Sequence, residues 1–241
     1  MKLIMENWNK FLKEAEEQKS IFVLVGPPSV GKSHWINSTF EENPYTINRD
    51  DIAQEVAASL GWTYDDLFVP PPEEAQVGDV DEKYGTVVES PAYMTWQPLS
   101  YEKVVDANNK IHSLFTERVG AARPSGRDIV VDMTNMNAGA RQGALKAIEG
   151  ATEGEYKKIA VVFKFEGAEE IIKAVAAKRA AQAKKEGKSK TIPPHVFDRM
   201  FKAFQQVDAG SEGFDEVVSV DNTAALQQLA GDTTPEEEPE L

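Results

Sequence analysis

A chain of 241 residues with 41% apolar content is long enough to bury a proper core, and its net charge of −14 argues against a protein that coats nucleic acid by bulk electrostatics. It has no cysteine, which excludes disulfides and thiolate zinc sites and agrees with a reducing cytoplasm. No apolar run approaches the length of a membrane span. Leu3-Ile4-Met5 runs at once into Glu6, Asn7, Asn9 and Lys10, too short an apolar start for a secretory signal, so a soluble, cytoplasmic protein without membrane contact is expected.

In chain order, Ile4, Trp8, Phe11, Leu12 and Ala15 recur at helical spacing and predict an amphipathic N-terminal helix within residues 1–19. Ile21–Val25 is wholly apolar and rich in β-branched residues, the pattern of a strand buried on both faces. A Gly-Pro-Pro turn ends it, and a helix is expected over Lys32–Phe40. Tyr45–Asn48 reads as a short second strand. Asp50 and Asp51 then open a helix that runs to about Leu60 and stops at Gly61, their carboxylates suiting its positive end. Residues 62–99, with Pro70-Pro71-Pro72 and repeated acids, lack periodicity and read as an inserted loop or small subdomain.

Helical spacing resumes from Tyr101 to about Val119. Asp128–Asp132 is the third strand, followed by a helix over Ala138–Glu149. Lys158–Phe165 is the fourth strand and Ala168–Glu186 a long Ala-rich helix, broken at Gly187-Lys188-Ser189-Lys190. Pro193-Pro194 opens another helix. Glu216–Val220 is the fifth strand, Asn222–Leu229 a last short helix, and the acidic tail 231–241 is expected to be disordered. Strands alternating with helices imply an α/β fold, a parallel sheet covered on both faces, over residues 20–230.

Gly26-Pro27-Pro28-Ser29-Val30-Gly31-Lys32-Ser33 fits the phosphate-binding pattern G-x-x-x-x-G-K-[ST] without a mismatch, and it lies between a buried strand and a helix as the mechanism requires. The glycines let backbone N–H groups turn inward on phosphate oxygens, and the helix start adds its positive end. Lys32 would reach the β- and γ-phosphates of ATP, and the Ser33 hydroxyl would ligate Mg²⁺. The loop implies a bound nucleoside triphosphate and does not choose among ATPases, GTPases, motors and kinases.

Ligands of open α/β sheets sit beyond the C-terminal strand ends. Asn48-Arg49-Asp50-Asp51 follows the second strand, where Asp50 is either a general base for an incoming hydroxyl or, with Asp51, a cap of the next helix. Asp132 ends the third strand as either a member of the Mg²⁺ shell or a turn cap. From Ile171 to Ile192 there are seven basic residues against one acid, a net of +6 that leaves −20 on the rest of the chain. This basic segment, within 168–192, reads equally as a lid in which Arg179 and Lys184 or Lys185 neutralise transferred phosphate, or as a solvated helix face.

Together these blocks resemble the kinase domain of phage polynucleotide 5′-kinase and the P-loop kinases related to it. The resemblance is carried by Gly26–Ser33 with Trp35, by Ile47–Asp51, and by Val130-Val131-Asp132-Met133-Thr134-Asn135-Met136-Asn137 with Arg141. It continues through Ala177-Lys178-Arg179 with Ile192–Val196 and Met200, and through Glu212–Val218. It implies a three-layer αβα P-loop fold with a five-stranded parallel sheet ordered 2-3-1-4-5. It also implies transfer of the γ-phosphoryl of ATP to a hydroxyl, with Asp50 as base, Lys32 and Arg179 as catalytic cations, and Lys184 and Lys185 beside the nucleotide. Ser33 and Asp132 then serve the metal, and Arg49, Asp51, Thr134, Asn135 and Arg141 contact the acceptor.

Three departures bear on that acceptor. Ala53 stands where the phage enzyme has a phosphate-gripping arginine, Met133 separates Asp132 from Thr134-Asn135, and lysines replace a second lid arginine, without its bidentate fork. A nucleic-acid 5′ end, with a role in repair, is the first expectation. A sugar, nucleoside or antibiotic hydroxyl is the alternative, and a nucleotide-binding partner protein without transfer activity is the third reading.

Overall fold

The computed structural model describes residues 19–62, 64, 67, 101–149, 156–185 and 192–231. The expected N-terminal helix, the 62–99 insertion apart from Trp62, Tyr64 and Leu67, the 187–190 break and the acidic tail beyond Gly231 therefore lie outside the described residues. The chain forms two compact units, one of Met1–Asn48, Arg118–Arg179 and Ile192–Leu241, the other of Arg49–Glu117 and Ala180–Thr191.

The first unit is built on five parallel strands: β1 (Ser20–Val25), β2 (Tyr45–Ile47), β3 (Ile129–Val131), β4 (Lys157–Phe163) and β5 (Glu216–Val220). Their order is β2-β3-β1-β4-β5, as the resemblance implied. Strand β1 is central, with Ile21 opposite Ile129 on one side and Lys158 on the other. All six of its residues are buried, which is why its sequence is an unbroken apolar run after Ser20 and shows no alternation. Strand β5, at the end of the sheet order among the described residues, pairs with β4 and alternates half-buried with exposed residues.

Helices α1 (Lys32–Thr39), α2 (Arg49–Ser59), α3 (Tyr101–Ala122), α4 (Ala138–Glu149), α5 (Glu169–Lys185), α6 (Pro194–Lys202), α7 (Ala209–Glu212) and α8 (Thr223–Gly231), with a 3₁₀ turn at Arg123–Ser125, complete the described elements. One sheet face buries Phe22, Leu24, Val130, Ile159, Val161 and Phe163 against Trp35 of α1 and Ile172 and Val175 of α5. Trp35 meets the rings of Phe22, Phe40 and Phe163 at 5.9, 5.7 and 6.2 Å between centroids. In the second unit, Ile52, Ala53, Val56 and Ala57 of α2 pack with Ala107 and Ile111 of α3 and with Leu67.

A buried charged pair, Arg141 with Glu212, lies inside the first unit. Arg141 of α4 has no exposed surface, and its Nε and Nη2 donate to Glu212 Oε2 and Oε1 at 2.6 and 2.7 Å. Its Nη1 donates to the Asn135 carbonyl at 3.1 Å. Glu212 closes α7, where its Oε1 also accepts the backbone N–H of Asp208. A bidentate guanidinium–carboxylate pair satisfies both charges geometrically, so Arg141 ties α4 to α7 and to the exit of β3. This corrects the expectation that Arg141 contacts an acceptor, because its donors are turned inward and used.

The hydrogen bond from Arg141 holds the Glu212 carboxyl below the ordinary glutamate range, against the opposing effect of burial. The unfolded chain therefore binds this proton more readily than the folded one. The pair's stabilisation is present above the ordinary glutamate value and is lost as pH falls through the lower folded value. Glu212→Gln leaves the guanidinium buried without its counter-charge and is expected to cost about 3–5 kcal/mol in urea unfolding at neutral pH. The same variant should lose stability less steeply than the wild type in the acid range below the ordinary glutamate value. An unchanged unfolding midpoint would contradict the assignment.

Candidate functional site

The phosphate-binding loop leaves β1 at Val25 and enters α1 at Lys32. Its curl depends on left-handed backbone at two places, Ser29 with φ 64° and Gly31 with φ 101°. Gly31 is the N-cap of α1 and brings no side-chain cap, so this helix start is not closed off by a residue of its own. At Gly26 a Cβ would lie 3.0 Å from Val30 Cγ1 and 3.1 Å from Phe163 Cβ, so the loop's own close packing favours glycine there. Val30 is fully buried and anchors the loop's apolar side. Lys32 Nζ donates to the carbonyl oxygens of Gly26 and Pro27, both at 3.0 Å, which holds the ammonium against the loop's first turn. Pro28 is half-buried, and Ser33 is exposed at the start of α1.

Two neighbouring strand exits support this loop. The Gly26 N–H donates to the Thr134 carbonyl at 3.0 Å, so Thr134 meets the loop through its backbone. Asn135, buried and at φ 46°, donates from Nδ2 to the Leu24 carbonyl at 2.8 Å. The Asn135 amide thereby pins the exit of β3 to β1. Asp132 is half-buried at the end of β3. Its N–H donates to the Ile47 carbonyl at 2.9 Å, and its Oδ2 accepts from Asn48 Nδ2 at 3.2 Å. The carboxylate is thereby oriented by the exit of β2, which suits either reading of its role.

Arg179 is exposed on α5, and the neighbouring Lys178 donates to the Leu229 carbonyl at 3.1 Å. Arg179 shares the first unit with the loop, Asp132, Thr134, Asn135 and Arg141. Arg49, Asp50, Asp51, Lys184 and Lys185 belong to the second. There Asp50 and Asp51 occupy the first turn of α2, as expected of carboxylates at a positive helix end. Asp51 and Arg49 are exposed, whereas Asp50 is half-buried and its Oδ1 accepts a hydrogen bond from the Tyr64 hydroxyl at 3.0 Å. Lys184 and Lys185 form the exposed last turn of α5.

Three residues here were not singled out from sequence as site or support residues. Asn222, just after β5, donates from Nδ2 to the Val30 carbonyl of the loop at 3.2 Å. Its place at a strand's C-terminal exit was a usable signal. Tyr64 at Asp50 and Glu212 at Arg141 had none, because nothing in spacing foretells those partners.

The site's residues fit a nucleotide polyphosphate. The fit rests on the left-handed curl at Ser29 and Gly31, the lysine at the loop's mouth and the helix start behind it. Among the described residues no cluster of three or more His, Asp or Glu could hold a metal by itself. Also among the described residues, no helix is long and apolar enough to cross a membrane.

No curated protein matches the chain. Among solved structures it resembles a protein of Chloroflexus aurantiacus J-10-fl described only as a candidate kinase, at 11% identity, covering 90% of this chain and 96% of that one with a TM-score of 0.47. It also resembles the dephospho-CoA kinase of Campylobacter jejuni, at 14% identity, covering 88% and 94% with a TM-score of 0.28. Neither likeness is close enough to speak to activity. The family described as "AAA domain" matches residues 21–207, from the start of β1 to just past α6, and the chain belongs to that family.

Proposed function

We propose that the protein transfers the γ-phosphoryl group of ATP to a hydroxyl. The observation that carries this reading is the built phosphate loop, with Gly31 at φ 101° and Lys32 folded onto the loop's own carbonyls. Lys32 and the loop N–H groups hold the β- and γ-phosphates. Mg²⁺, when bound by Ser33, Asp132 and the phosphates, supplies charge neutralisation. Asp50 is the base of the reading: it takes the acceptor's proton as the acceptor oxygen bonds to the γ-phosphorus and the bond from that phosphorus to the β–γ bridging oxygen breaks, releasing ADP. Tyr64, by donating to Oδ1, helps to orient the Asp50 carboxylate. Arg179 and the lysine pair Lys184 and Lys185 supply cations to the transferred group from α5.

The acceptor is better described as a small molecule than as a polynucleotide end. Two supports of the polynucleotide reading were Asn135 and Arg141, and both are spent on holding the fold together. A third comparison points the same way. Ala53, at the place of the phage enzyme's phosphate-gripping arginine, is 1% exposed and faces the apolar cluster of α2 and α3. A strand of phosphates needs several cations, and a net charge of −14 does not supply them in bulk. Arg49 and Asp51, both exposed, remain as polar groups for a hydroxylated acceptor.

Incubation with labelled ATP, Mg²⁺, a 5′-hydroxyl oligonucleotide and a panel of sugars and nucleosides decides between these acceptors. Label on a small acceptor is expected. Label confined to the oligonucleotide would restore the polynucleotide reading, and ATP binding without label on any acceptor would favour a nucleotide-binding partner protein.

Two variants separate donor from acceptor chemistry. Lys32→Ala is expected to weaken ATP binding and abolish transfer together. Asp50→Ala is expected to lower kcat by roughly 10²–10⁴-fold while leaving the Kd for ATP within about twofold. Near-normal turnover in Asp50→Ala would remove that residue from the mechanism.

A further inference from the structure

Asn222 lies between the end of β5 at Val220 and the start of α8 at Thr223, on the far side of the sequence from the phosphate loop. Its Nδ2 donates to the Val30 carbonyl, 192 residues earlier, at 3.2 Å. The approach is intimate: a Cβ on Gly31 would lie 2.5 Å from that same nitrogen. Position 31 favours glycine for its φ of +101°, and a Cβ there would push the Asn222 amide aside.

The segment that carries Asn222 is itself held. The Asn222 carbonyl accepts the Leu226 N–H at 2.9 Å, and Asp221 Oδ1 accepts the Thr223 N–H at 3.1 Å. Lys164, just past β4, lies 3.6 Å from Asp221 Oδ2. Asn222 thus reaches the loop from a fixed base.

The consequence follows from peptide geometry. In a trans peptide the carbonyl and the following N–H point in opposite directions. There is no cis peptide among the described residues, so drawing the Val30 carbonyl toward Asn222 turns the Gly31 N–H to the opposite side. We infer that Asn222 is a positioning residue for polyphosphate: its amide fixes the Val30–Gly31 peptide plane so that the Gly31 N–H faces the bound phosphates. This rests on the nucleotide-binding reading of the loop and extends it to a residue outside the loop.

Without that hydrogen bond the peptide is free to rotate, and glycine at position 31 offers little steric resistance to rotation. A fraction of molecules would then present a carbonyl oxygen where a donor is needed, and apparent affinity falls by that fraction. The effect belongs to the phosphates, not to the base or to global stability.

The test compares wild type, Asn222→Ala and Asn222→Leu as full chains, the leucine keeping most of the bulk without the donor. ATP binding with Mg²⁺ is measured by calorimetry, inorganic tripolyphosphate by its competition with ATP, and folding by the thermal midpoint without ligand. Both variants are expected to bind ATP and tripolyphosphate more weakly by a similar factor, roughly 5- to 20-fold, with the midpoint little changed. Wild-type affinity in either variant overturns the inference, and so does a loss for ATP that tripolyphosphate does not share, which would place Asn222 at the nucleoside. A loss that appears only with a collapsed midpoint in both variants also overturns it, leaving a structural role. If the wild type binds neither ligand, the nucleotide reading falls first and this inference with it.

Discussion

A loop that cradles phosphate must hold its peptide N–H groups inward before the ligand arrives, and an isolated turn does not keep such a shape. Here the left-handed residues Ser29 and Gly31 set the curl. The neighbouring structure then fixes it: the Thr134 carbonyl takes the Gly26 N–H, and the Asn222 amide takes the Val30 carbonyl. These supports come from the exits of β3 and β5, on either side of β1 and β4 in the sheet. The parallel sheet thus does more than bury apolar surface, because it delivers two remote strand ends to the same short loop.

The same economy explains residues that look functional but act structurally. Asn135 and Arg141 lie near the exit of β3 and are polar. Yet one pins β3 to β1 and the other is buried in a two-pronged pair with Glu212. A buried guanidinium is tolerable only with its charge matched and its donors satisfied, which α7 accomplishes by presenting Glu212 and the Asn135 carbonyl completes. Polar groups at strand exits are thus divided between holding the site and acting in it, and proximity alone does not sort them.

The donor and acceptor halves of the proposed reaction draw on different parts of the chain. The loop, Asp132 and Arg179 belong to the unit built on the sheet, while Asp50, Arg49 and the lysines closing α5 belong to the second unit. The donor half is constrained by backbone geometry that only a few sequences can supply. The acceptor half depends on individual side chains, which no contiguous backbone pattern fixes.

By itself the sequence determined most of the local elements and the phosphate-binding loop. Unbroken apolar runs are read directly as strands buried on both faces, and Gly26–Ser33 is contiguous, so the phosphate loop was legible without a fold. The strand order came from resemblance and agrees with the sheet. Tertiary structure alone decided the partners of polar side chains. Glu212 meets Arg141 from 71 residues away, and Asn222 meets Val30 from 192 away. Hydrogen bonds of that separation leave no periodicity in the sequence, because they are set by where strand exits converge and not by local spacing.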